Sequence, residues 1–256
     1  EGSFAIAVIS SDHPDTIVVA RKESPLLIGI GNNEFFLGSD VTAFLDYTRS
    51  VMILEDFDVV EIRRDSISVF NIKENGFVER EIINIEWSAE MAEKAGYNHF
   101  MLKEINEQDT AVRETLREKE AVKEASEILD GVDRLYILAC GTSYHAGLVG
   151  KYFIERWCRL PVHVVIASEF ASSTIHTLDN RAGVVAISQS GETADTLTAI
   201  RSIKKSGLSI PVIAVTNVVG SSITRESDAV CYTRAGPEIG VAATKTFTSQ
   251  LVIMIM

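Results

Sequence analysis

The chain has 256 residues, 46% of them apolar and 23% charged, and at about 100–200 residues per domain that length predicts two domains. With 16 Gly, 5 Pro and that apolar share, it is neither disordered nor collagen-like. Lys+Arg 24 against Asp+Glu 36 leaves a net charge of −12, which repels phosphate backbones and anionic lipid and argues against nucleic-acid and membrane partners.

Residues 1–84 read as β. Segments near 4–10, 16–22, 26–31, 34–38, 51–54, 57–63 and 66–72 are rich in Val, Ile and Phe. Turn clusters separate them at Asp12-His13-Pro14-Asp15, Gly31-Asn32-Asn33 and Lys73-Glu74-Asn75-Gly76. Short turns favour antiparallel pairing. Thr42 to Tyr47 fits a short helix between strands. From 98 to 130 Glu, Lys, Arg, Leu and Ala dominate without Pro or Gly, which predicts two linking helices with solvated charged faces.

From Gly131 onward apolar runs alternate with helical stretches. Strands are expected at Leu135–Ala139, Val162–Ala167, Val184–Ile187, Val212–Val215 and Ala229–Tyr232, with helices at Ser143–Trp157 and Thr193–Lys205. That alternation predicts an α/β fold with a parallel sheet and right-handed crossovers. The uncharged run Gly207–Thr224 contains Pro211, Asn217 and Gly220, so it reads as a buried strand and a polar loop rather than a membrane span.

Ligands of open α/β sheets sit beyond the carboxyl ends of the strands. The first exit is Ala139-Cys140-Gly141-Thr142-Ser143-Tyr144, and the second is Ile187-Ser188-Gln189-Ser190-Gly191-Glu192-Thr193. Each offers hydroxyls and a glycine at a helix start, where backbone N–H groups are free. Val215-Thr216-Asn217-Val218-Val219-Gly220-Ser221-Ser222 and the turn Gly236–Lys245 follow. A phosphomonoester needs several donors, ideally with helix N-termini behind them, and two hydroxyl-bearing turns supply that; hydroxyls also suit a polyol. The competing reading is that each Ser or Thr caps its own helix. Neither turn has the lysine of a Walker A loop or a GxGxxG fingerprint, which argues against nucleoside triphosphates and NAD.

Cys140, Cys158 and Cys231 are widely spaced without a CxxC pair, and the first residues lack a basic leader, so free thiols in a reducing, cytoplasmic compartment are expected. Cys140 has no assignable His/Asp partner and reads as a packing thiol. His145, His163 and His176 show no metal-ligand spacing, so no metal site is expected. Glu169 reads as a helix cap. Glu1-Gly2 leads straight into a strand-like run, and Leu251–Met256 is apolar with no capping residue, which predicts a piece cut from a longer chain with an apolar face left uncovered.

Cys140-Gly141-Thr142-Ser143, the run Ser188-Gln189-Ser190-Gly191-Glu192-Thr193-Ala194-Asp195-Thr196 and Glu238-Ile239-Gly240-Val241-Ala242 resemble the glutamine–fructose-6-phosphate aminotransferases (isomerising). His13-Pro14-Asp15-Thr16 and Ser24–Gly29 resemble the later half of that family's class-II (Ntn-type) glutaminase domain, and Met101–Ile105 with Glu107-Gln108 its interdomain segment. The resemblance implies a glutaminase remnant over 1–84, a linker with helices over 85–130, and a truncated first sugar-isomerase (SIS) subdomain, doubly wound and parallel, over 131–256. It implies formation of glucosamine 6-phosphate from fructose 6-phosphate and glutamine, no metal or redox cofactor, and a homodimer. Ser143, Ser188, Gln189, Ser190 and Thr193 would hold the phosphate and Thr142 a sugar hydroxyl, with the backbone of Gly141 and Val241 lining the site. Ala243 stands where the family often has Ser. The family's nucleophilic cysteine would precede Glu1 and its second SIS subdomain would follow Met256. No catalytic residue is therefore expected here, and these residues alone should show neither glutaminase nor synthase activity. Two other readings remain: a non-catalytic sugar-phosphate-binding SIS module, against which the acidic, β-rich first part weighs, and a plain nucleotide binder.

Overall fold

The structure is a computed structural model that describes residues 2–85, 87 and 93–256. The chain forms two compact units, Glu1–Glu93 and Lys94–Met256.

The first unit is antiparallel β. One sheet has the order β1 (Phe4–Ser10), β2 (His13–Lys22), β6 (Asp58–Arg63), β7 (Ile67–Asn71), β8 (Gly76–Val78). The other runs β4 (Phe35–Gly38), β3 (Leu27–Ile30), β5 (Ser50–Ile53), β9 (Ile82–Asn84). Val19, Ile28, Met52, Val60, Ile62 and Val69 come from both sheets and share one buried cluster, so the sheets pack face to face. The turn expected at 12–15 is tighter than its residues suggest. Ser11 and Asp12 make it, and His13-Pro14-Asp15 already belong to β2. Pro14 is tolerated there because the β1–β2 register shifts at Ile9/Ser10 and pairing with β6 starts only at Thr16, so no ladder bond needs its missing N–H. The helix expected over 42–47 is a single 3-10 turn, Val41–Ala43, capped by Asp40.

The second unit opens with α1 (Phe100–Asn106), α2 (Gln108–Thr115) and α3 (Lys119–Ile128), where two helices were expected. No Pro or Gly marks the breaks; distant contacts do. Glu107, between α1 and α2, takes Lys103 Nζ at 3.5 Å and Lys245 Nζ at 2.7 Å on its carboxylate. Buried Thr115 sets its Oγ1 against the carbonyls of Ala111 and Thr233, and buried Glu118, in the 3-10 turn that follows, pairs with Arg234.

The parallel sheet runs β11 (Val162–Ile166), β10 (Arg134–Ala139), β12 (Ala182–Ile187), β13 (Val212–Thr216), β14 (Ala229–Tyr232). The three central strands β10, β12 and β13 are buried on both faces and read as continuous apolar runs, whereas the edge strands β11 and β14 are only partly covered. Leu135, Ile137, Ala139, Val185 and Ile187 pack with α3 and with Ile253 and Met254 of α8 (Lys245–Ile255). Tyr136, Leu138, Val184 and Ala186 face the other way, onto Phe170 of α5 (Ala167–Phe170), Leu197 and Ile200 of α6 (Ala194–Lys205) and Ile223 of α7 (Ser222–Arg225). The sheet is thus doubly wound. Glu169, expected as a cap, lies inside the one-turn α5, whose N-cap is Ile166 with no side-chain hydrogen bond. No helix among the described residues is long and apolar enough to cross a membrane.

Candidate functional site

Sheet order decides where a ligand can sit. The chain goes from β10 outward to β11, then returns past β10 to β12 and continues to β13 and β14. The direction of winding reverses between β10 and β12, and the connections leaving these two neighbours part to opposite faces, opening a crevice at their carboxyl ends. The exits of β10 and β12 are the two hydroxyl-bearing turns. They meet: Cys140 Sγ lies 4.0 Å from Asp195 Oδ2, across from one helix start to the other.

At the β10 exit, α4 (Gly141–Cys158) begins with Gly141 at φ +58° and Cys140 as its N-cap, and no side chain caps its first N–H groups. Gly141 and Thr142 are exposed, and Ser143 is buried. The β12 exit is more constrained. Ser188, 2% exposed, accepts the Gly191 N–H at 3.0 Å and shares a 2.8 Å hydrogen bond with Thr193 Oγ1. Ser190 Oγ accepts the Glu192 N–H at 3.2 Å, leaving its own proton uncommitted. Thr193 is the N-cap of α6 yet makes no side-chain capping bond. The hydroxyls at both turns are therefore not spent on capping, and two helix N-termini reach the same crevice with free N–H groups.

Neighbouring elements fix the second turn. Its backbone is stitched to β13 by Ser188 N–H to Val215 O and Asn217 N–H to Gln189 O, each 3.0 Å. Glu192 accepts the Ser222 N–H at 2.7 Å and the Ser222 hydroxyl at 2.8 Å, tying the turn to α7. Asn217, buried at the β13 exit, donates to Gly236 O at 2.7 Å and accepts from Thr233 Oγ1 and Ala235 N at 2.9 Å. The loop that follows is held by Glu104, which accepts the N–H groups of Ile239 and Gly240 at 2.7 and 3.0 Å, and by Glu238, which accepts the Thr244 N–H at 2.8 Å. Val241 is fully exposed in that loop, and no hydrogen bond links it to the two turns. The structure thus brings Gly141, Thr142 and Ser143 together with Ser188, Gln189, Ser190 and Thr193, and places Val241 on a separate loop. The Glu192–Ser222 tie and the contact of Gln250 with Ser143 were not read from the sequence. For Gln250 the sequence offered only a polar residue directly before the apolar run Leu251–Met256.

The site has neutral donors only: neither turn contains Lys or Arg, and both Glu192 and Asp195 are already engaged. Among the described residues no group of three His, Cys, Asp or Glu could hold a metal ion. Such a site can bind an anion by hydrogen bonds and helix dipoles.

The SIS domain family matches residues 128–256. A glutamine–fructose-6-phosphate aminotransferase [isomerizing] of Clostridium tetani is 48% identical over 99% of this chain, and one of Methanothermobacter thermautotrophicus 51% identical over 100%. The chain spans 43% and 42% of their lengths. Among solved structures, the C-terminal domain of glucosamine-fructose-6-phosphate aminotransferase from Francisella tularensis superposes with a TM-score of 0.58 at 43% identity, covering 64% of this chain and 47% of that one.

Proposed function

The chain belongs to the SIS domain family, and from that premise we propose that its switch-point crevice binds the phosphate of fructose 6-phosphate, within a protein that makes glucosamine 6-phosphate with glutamine as the nitrogen donor. The observation that carries this reading is that two neighbouring turns present hydroxyls and free helix N–H groups, none of them used as caps, to one crevice without a cation. Ser143, Ser190 and Thr193 donate to the phosphate oxygens. Ser188 positions Thr193 through their shared hydrogen bond, Gln189 shapes the turn, and Thr142 and the Gly141 backbone face the sugar. Val241 would join the sugar's far side through its backbone. The two aminotransferase relatives, similar over nearly the whole chain, support the substrate and the glutamine donor. The first unit then serves as the later half of a glutaminase domain, the protein works as a cytoplasmic homodimer, and glutamine hydrolysis and isomerisation depend on groups outside these 256 residues.

Calorimetric titration tests the site. Fructose 6-phosphate and glucosamine 6-phosphate should bind, NAD should not, and Ser188→Ala should weaken fructose 6-phosphate about tenfold or more, since it frees Thr193 and orphans the Gly191 N–H. Binding of NAD in place of the sugar phosphate, or equal affinity for fructose and fructose 6-phosphate, refutes the assignment.

A further inference from the structure

Gln250 lies in α8 and is 1% exposed. Its Nε2 donates to Ser143 Oγ over 3.0 Å, across 107 residues of sequence. Its Oε1 is buried with no hydrogen-bond partner among the described residues. An amide left half-satisfied in an interior is costly compared with Leu or Met of similar volume, so packing does not account for it.

Ser143 does. A hydroxyl has one proton and two acceptor positions. Ser143 sits in the first turn of α4, 7% exposed, where its side chain makes no other hydrogen bond among the described residues. With the Gln250 amide donating into one acceptor position, the proton of Ser143 is left for an acceptor in the crevice. We propose that Gln250 is a positioning residue that holds the Ser143 hydroxyl as a donor to the bound phosphate. This rests on the sugar-phosphate reading of the crevice and extends it to a residue that touches no ligand.

The test is a double-mutant cycle in the full-length protein, with affinities for fructose 6-phosphate and for unphosphorylated fructose measured for wild type, Gln250→Met, Ser143→Ala and the pair, and folding checked by thermal melting. Gln250→Met should weaken fructose 6-phosphate about tenfold and leave fructose unchanged, and should have no further effect once Ser143 is Ala. Gln250→Leu, which likewise removes the donor at similar volume, should match Gln250→Met and completes the cycle if the Met variant does not fold. Additive losses, or equal losses for both sugars, would mean a merely structural role and overturn the inference while the site stands. If wild type itself does not prefer the phosphorylated sugar, the site reading falls and this inference with it.

Discussion

Two glycines at the crevice have the same backbone conformation and different surroundings. Gly141 has φ +58° with nothing near its missing Cβ, whereas Gly191 has φ +67° and a Cβ there would lie 2.1 Å from Ser221 Oγ and 2.6 Å from Ser221 Cβ. Ser221 is 1% exposed and its hydroxyl is bonded to Val218 O at 2.8 Å, so it cannot yield cheaply. Gly141→Ala should cost only left-handed strain, about 1–2 kcal/mol. Gly191→Ala adds overpacking of about 1–3 kcal/mol to that strain and should displace the turn that holds Ser188 and Thr193. Urea denaturation should therefore rank Gly191→Ala clearly below Gly141→Ala, and Gly191→Ala should also lose most of its fructose 6-phosphate affinity through a moved turn. Equal stabilities would mean that Ser221 does not brace the site. The glycines were legible in the sequence as places for close approach; what approaches Gly191 was not, because Ser221 belongs to the exit of a different strand.

At the scale of elements, the strands of the second unit were legible because a strand covered on both faces has no reason to alternate, and Leu135–Ala139 and Val184–Ile187 stand out as short apolar blocks. The helix breaks at Glu107 and at 116–118 were hidden, since charge clusters formed with Lys245 and Arg234 more than a hundred residues away set them. β8 and β9, three residues each, are too short to show a period. In the first unit one buried charge organises several strands. Asp58 opens β6 with no exposure and accepts from Arg80 Nε and Nη2, both at 2.9 Å, from Asn71 Nδ2 at 2.8 Å and from the Glu55 N–H at 2.7 Å. Burial by itself raises its pKa, but the Arg80 guanidinium, the Glu55 N–H and Asn71 together outweigh that and hold the carboxyl below the usual carboxylate range. A depressed native pKa stabilises the fold at pH values above the unfolded value of about 3.9, and the contribution is lost as pH falls through the native value. Melting of the first unit, followed by Trp87, which packs beside Ile85, should therefore lose stability below about pH 4. Asp58→Asn should be less stable at neutral pH and show a flatter acid limb. An unchanged acid limb in that variant would assign the loss to other carboxylates.

At the largest scale, the net charge of these 256 residues and the site chemistry lead to an unusual salt response. Proteins that grip phosphate with Lys or Arg lose affinity steeply as salt screens the attraction. Here these 256 residues carry a net charge of −12, the two turns contain no Lys or Arg, and Glu192 and Asp195 lie within them. The long-range field therefore opposes a sugar phosphate, and binding comes from short hydrogen bonds and helix ends that salt reaches little once the anion is seated. Raising NaCl from about 20 to 200 mM shortens the Debye length from roughly 20 to 7 Å and weakens the repulsion. Affinity for fructose 6-phosphate should then change by less than about twofold, with any change toward tighter binding, and the association rate should rise. A tenfold loss over the same range would show that a lysine or arginine from outside the two turns reaches the phosphate, and that the hydroxyl crevice is only part of the anion site.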